Sequence, residues 1–145
     1  EKNCEDEMKS IYAPKDKDIE KSFMYQIIDL TNSTRYKYNL RELDYDEKAT
    51  ICARKHSEDM KDNDFFDHKN LNNQTPFDRM ENEGIDYLSA GENIAAGQTN
   101  AIFVHNGWMN SQGHRKNILG NYKYIGVGVI FGGKYKTYYT ENFFG

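Results

Sequence analysis

Gly107-Trp108-Met109-Asn110-Ser111-Gln112-Gly113-His114-Arg115-Lys116-Asn117-Ile118-Leu119 carries an imidazole directly behind a glycine, in a run of polar and apolar residues. Upstream stand a second phrase, Gly91-Glu92-Asn93-Ile94-Ala95, and an isolated His68. Glycine lets the backbone approach a site closely and take positive φ. These polar groups are therefore expected at element ends, gathered into one cleft with two imidazoles and a carboxylate.

Outward from these phrases, the chain of 145 residues fits one domain with a real core. Its net charge is −4. Residues 1–20 supply −3 of that, from seven acids and four bases, and the body is close to neutral. No basic stripe is present to neutralise phosphates, which argues against nucleic acid as a partner. No apolar run reaches the roughly 20 residues that span a bilayer, so no transmembrane segment is expected. A start at Glu1 without a signal peptide fits either a cytosolic chain or a trimmed, exported one. Cys4 and Cys52 are too few for a disulfide scaffold. Cys52 reads as a small buried apolar residue, and a Cys4–Cys52 bridge stays open. A monomer is expected.

Residues 1–20, charged and poorly periodic, read as an extension before a domain over 21–145. From Ile19, the positions Phe23, Ile27, Leu30, Thr34 and Tyr38 follow helical spacing to about Asn39. Asp44 reads as the cap of a second helix, with Leu43 as staple and a buried stripe of Ala49, Cys52, Ala53, His56 and Met60. Thr75-Pro76 opens a third helix and Gly84 closes it. A fourth, about Ala101 to Asn110, buries Ile102, Val104 or His105, and Trp108. Then the period changes to two. Ile125, Val127, Val129 and Phe131 mark a strand, Gly132-Gly133 a tight turn, and Tyr135 to Phe143 a returning strand. Gly91–Ala96 supplies a third. Glycines within the strands leave room for a close helix.

These phrases, with Leu30-Thr31-Asn32-Ser33-Thr34-Arg35, Phe65-Phe66-Asp67-His68, Thr75-Pro76-Phe77-Asp78-Arg79-Met80 and Ile125-Gly126-Val127-Gly128-Val129, resemble the CAP superfamily of cysteine-rich secretory, antigen 5 and pathogenesis-related proteins. Most similar are its short bacterial SCP-domain members. The resemblance runs from about Ser22 to Gly145. It implies an α+β, three-layer α-β-α sandwich around a small antiparallel sheet, and a mostly exported protein of the bacterial surface or exterior. It also implies a central cleft of two histidines and two glutamates that holds a divalent cation in several members. Position by position, His68 and His114 take the histidine places and Glu92 one glutamate place, while Ser111 stands where eukaryotic members carry the second glutamate.

Two imidazoles and a carboxylate suit zinc, with a position left for water; calcium and magnesium prefer oxygen. The competing reading has His68, Glu92 and His114 bonding one another to hold loops together. Glu92 with the histidines could also act as acid or base. A Ser111–His114–Glu92 triad lacks the sharp serine turn of hydrolases, so Ser111 reads as capping the end of the fourth helix or binding the turn that follows it. His56 is expected in the core and Trp108 as the anchor of its helix. His105 is expected at the cleft mouth or on the surface. Asn93 and Asn117 are expected to hold turns, and Arg35, Arg79 and Arg115 buried or half-buried salt links. The glycine and lysine spacing from Gly128 to Lys134 mimics a phosphate loop but lies inside a hairpin, with Tyr135 where a Ser or Thr belongs.

The leading functional expectation is a surface-attached or exported binding module without catalysis, holding an extracellular ligand or protein. A membrane tether through a lipidated upstream cysteine would suit it. The alternatives are a metal- or Glu/His-assisted hydrolase, and a lipid or sterol binder using the aromatic segments Tyr135–Tyr139 and Phe143-Phe144.

Overall fold

The computed structural model describes residues 16–145. Helix α1 (Asp16–Lys37) leads into β1 (Asp44–Tyr45), α2 (Glu47–Asp62) and α3 (Pro76–Asn82). Strand β2 (Ala90–Ala96), helices α4 (Ala101–Met109) and α5 (Gln112–Ile118), and the pair β3 (Tyr124–Phe131) and β4 (Thr137–Phe144) follow. The sheet order is β1-β3-β4-β2. The pairs β3–β4 and β4–β2 are antiparallel, and β1 adds a two-residue parallel edge too short to leave a period in the sequence.

Helices cover both faces, giving the expected α-β-α sandwich. On one side Met24 and Ile27 of α1, Val104 and Trp108 of α4 and Ile118 of α5 pack on Val127, Val129, Tyr139 and Phe143. On the other, Ala49 and Cys52 of α2 meet Met80 and Phe144, and Met60 meets Ile94 and Tyr138. With both faces covered, all eight positions of β4 are buried.

Helix α1 begins inside the stretch read as an extension. Asp16 and Asp18 in its first turn complement the positive end of the helix. Buried Glu20 accepts a hydrogen bond from the Phe131 amide at 2.7 Å. Residues 1–15, Cys4 among them, lie outside the described residues, and so does the Cys4–Cys52 pairing.

The cap of α2 is Asp46 rather than Asp44, because Asp44 is spent in pairing with β3. Asp46 accepts from the Ala49 amide at 2.8 Å. Asp46→Ala should therefore cost about 1 kcal/mol in a urea melt, while Asp44→Ala, which breaks only an exposed pair with Arg41, should change little. The reverse order would move the cap back to Asp44.

The stripe expected on α2 is buried at every position, and Thr75 and Asp78 form a reciprocal capping box ahead of α3. In α4 the buried set is Ala101, Val104, His105 and Trp108, spaced i, i+3, i+4, i+7. That register turns Ile102 outward, 55% exposed. The β3–β4 connection is a longer loop, 132–136, with positive φ at Gly132, Gly133 and Lys136, rather than a tight two-glycine turn. Helix α5 had no counterpart in the sequence reading.

Candidate functional site

A cleft of about 490 Å³ runs along β2, the outer strand of the sheet, lined by Phe66, His68, Ile94, Trp108, Ser111 and His114 among others. His68 comes from the loop between α2 and α3, His114 from α5 in the opposite layer. The two rings thus approach the sheet edge from its two sides.

Glu92 sits behind His68. Its side chain is 1% exposed. Oε1 accepts from His68 Nδ1 and from Arg79 Nη2, both at 2.9 Å, and Oε2 accepts from Asn142 Nδ2 at 2.9 Å. Burial alone would push this carboxyl up, but the His68 hydrogen bond and the Arg79 charge outweigh it and hold it below the usual carboxylate value. With Nδ1–H donated to Glu92, the half-exposed His68 ring keeps Nε2 free. Arg79 also donates to the His68 carbonyl at 2.8 Å, fixing backbone and ring of the same residue.

His114 does not join Glu92. Its Nδ1 meets Ser111 Oγ at 2.7 Å. Burial first, then the neighbouring His68, lowers its pKa, so the ring is neutral at pH 7. Ser111 occupies the cap position of α5 but makes no cap bond; its hydroxyl serves the imidazole instead. The Ser111–His114–Glu92 triad is not assembled, since the carboxylate orients the other histidine.

Asn93 and Asn117 dock α5 on β2 rather than holding turns. Asn93 Nδ2 donates to the His114 carbonyl at 3.1 Å, and Asn117 Nδ2 donates to the Glu92 carbonyl at 3.0 Å and to Asn93 Oδ1 at 2.9 Å. Behind them lies a carboxyl that the sequence reading missed. Glu141 at the centre of β4 is fully buried, with Thr31 Oγ1 at 2.7 Å and Asn93 Nδ2 at 3.2 Å.

His56 is a core histidine whose Nε2 meets the Asp67 carbonyl. His105 is buried and bonded to Thr34, not on the surface, because it falls on the inward stripe of α4. Trp108 anchors α4 by donating Nε1–H to the Ile94 carbonyl. Arg79 forms the buried salt link expected of it. Arg35 and Arg115 instead donate to backbone carbonyls, Arg35 to those of Arg41, Ile118 and Gly120. Tyr138, Tyr139 and Phe143 are core rings, whereas Tyr135 is exposed and Phe144 lines a surface hollow with Tyr87, Leu88 and Tyr124. Among the described residues, no three of His, Cys, Asp and Glu stand together as a metal shell.

Residues 28–143 match the model of CAP, the cysteine-rich secretory protein family. YkwD of Bacillus subtilis is 46% identical over 121 residues, covering 83% of this chain and 46% of YkwD. YlbC, a membrane protein of the same bacterium, is 40% identical over 136 residues, covering 93% and 38%. The chain thus spans less than half the length of these curated relatives. An extracellular SCP-domain protein of Bacillus anthracis superposes with a TM-score of 0.83 at 41% identity, covering 89% of this chain and 42% of that one. The chain belongs to the CAP family.

Proposed function

We propose that this domain is a ligand-binding module of the cell surface or exterior, rather than a hydrolase, and that its ligand contacts the His68–His114 cleft. The observation that carries this reading is the state of Glu92. A general base must reach the substrate or its attacking water, and this carboxylate is buried and engaged by three donors. Its role is to orient His68. Likeness to an extracellular SCP-domain protein supports the location.

Zinc takes four ligands, often imidazole nitrogens. His68 and His114 each keep Nε2 without a protein partner among the described residues, whereas Glu92 is committed to its donors. The residues fit a two-imidazole site with Glu92 behind His68, an arrangement that sets ring orientation and basicity. They do not fit a shell with Glu92 as a direct ligand. A bound ion would supply a positive centre for a carbonyl or anionic group.

Calorimetry with zinc should show His68→Ala and His114→Ala each weakened roughly tenfold or more, and the double variant silent. Equal binding by wild type and double variant would end the metal part of the proposal. Turnover of peptide or ester substrates that vanishes in Glu92→Gln would replace the module with a hydrolase.

A further inference from the structure

A second cavity, of about 250 Å³, opens between α2, α3 and the loop that joins them. Lys55, His56, Asp59, Arg79, Asn82 and Glu83 are part of its lining. Neither Glu92 nor His68 is part of its lining. Two of its groups have unmet hydrogen-bonding capacity. Arg79, whose side chain is 9% exposed, has Nε and Nη1 buried without a partner among the described residues. Its neighbour there, the Cys52 thiol, is only a weak acceptor. His56 spends Nε2–H on the Asp67 carbonyl, and its Nδ1 has no partner.

Buried polar groups are normally satisfied, so each exception needs a cause. Here two unmet donors and one unmet acceptor belong to side chains that line a single hollow. A lone anion entering it would meet Asp59 and Glu83, and a lone cation would meet Arg79 and Lys55. The exposed rim pair Lys55–Glu83 already balances itself. A molecule carrying both charges matches the lining, and the volume, below that of most drug-sized sites, restricts it to amino-acid or dipeptide dimensions.

We propose that this cavity is a second ligand site, taking a small zwitterion whose carboxylate lies toward the Arg79 guanidinium and whose ammonium lies toward Asp59 and His56. The site stands independently of the cleft and of any metal there.

The test is a ¹⁵N-resolved NMR titration of the full chain with L-alanine and glycylglycine, and with acetate and ethylammonium as the separated halves. Saturable shifts are expected at Arg79 Nε–H and at the backbone amides around Lys55 and Asn82, with each half roughly tenfold weaker or worse. Arg79→Lys keeps the charge but loses the buried donors, and should weaken binding roughly tenfold. Since Arg79 also holds Glu92, a second variant is needed. Asn82→Trp, at an exposed position on the rim, should block entry while leaving the fold intact. No saturable shift, as expected of a cavity filled by water alone, overturns the proposal. So does binding by acetate alone as tight as by the zwitterions, or binding unchanged in Asn82→Trp.

Discussion

Gly128→Ala is expected to lower the unfolding free energy by about 3 kcal/mol or more, a large share of what a domain of this size has. A methyl at Gly128 would stand 2.3 Å from the Arg54 nitrogen and 2.4 Å from the Ala53 carbonyl carbon, and one at Gly126 2.2 Å from the Ala49 carbonyl carbon. Those are backbone atoms of α2, so no side chain can swing aside. The reason lies in two commensurate periods. Four residues of helix rise about 6 Å and two residues of strand about 6.8 Å, so Ala49 and Ala53 settle in turn over Gly126 and Gly128. One further helical step brings Ser57, whose hydroxyl bonds the Gly128 carbonyl at 2.9 Å and Thr140 Oγ1 at 2.7 Å. A methyl on the strand would lift α2 and break that polar contact as well. The same substitution at Gly107, a helical position with nothing within 4 Å of the added atom, should instead stabilise by about 0.5–1 kcal/mol. Urea melts of the two variants decide it. A Gly128→Ala protein within about 1 kcal/mol of wild type would mean that α2 does not rest on β3 as described.

Much of this frame was legible because it is written in short-range periods. The helical stripe from Ala49 to Met60, the alternation from Ile125 to Phe131 and the Thr75-Pro76 start each depend on neighbours a few residues apart. Edges set by distant partners were not legible. Asp44 looks like a cap until β3 arrives to pair with it. Ser111 looks like a cap until His114 takes its hydroxyl.

The site divides in the same way. His68, Ser111 and His114 do line one cleft, and Glu92 does meet His68. What no local pattern could show is that Glu92 turns to the α2 layer, where Arg79 and Asn142 claim it. The sequence offered Arg79 only as one of three arginines that would form salt links. Its clamp on the His68 backbone needs a loop folded over α3. Glu141 was invisible for another reason. The residues of β4 around it do not alternate, so its burial follows from the two covering layers and from no pattern in its own strand.

Glu141 should make stability fall as pH rises. Burial pushes its carboxyl up to about 7 from an ordinary 4.5, only partly offset by hydrogen bonds from Thr31 and Asn93. The groups that face it from α1 and β2 are those two uncharged side chains, so no cation rescues the ionised form. Because the folded value is raised, the native state holds this proton after the unfolded chain has lost it. The contribution is fully present below about pH 4.5 and disappears as pH climbs to about 7. That shift corresponds to a few kcal/mol, on the order of 3. Other groups titrate with the opposite sign. Glu92, held low, adds stability that is lost on acidification, and His56, His105 and His114, all lowered mainly by burial, favour the fold as pH rises toward 6.5. The wild-type curve is therefore a sum, and the difference between Glu141→Gln and wild type isolates the one carboxyl. In urea melts across this range, the Gln variant should match wild type near pH 4.5 and exceed it by about 3 kcal/mol above pH 7. A difference that stays flat with pH would mean that Glu141 is charged in the fold and has found a counter-ion.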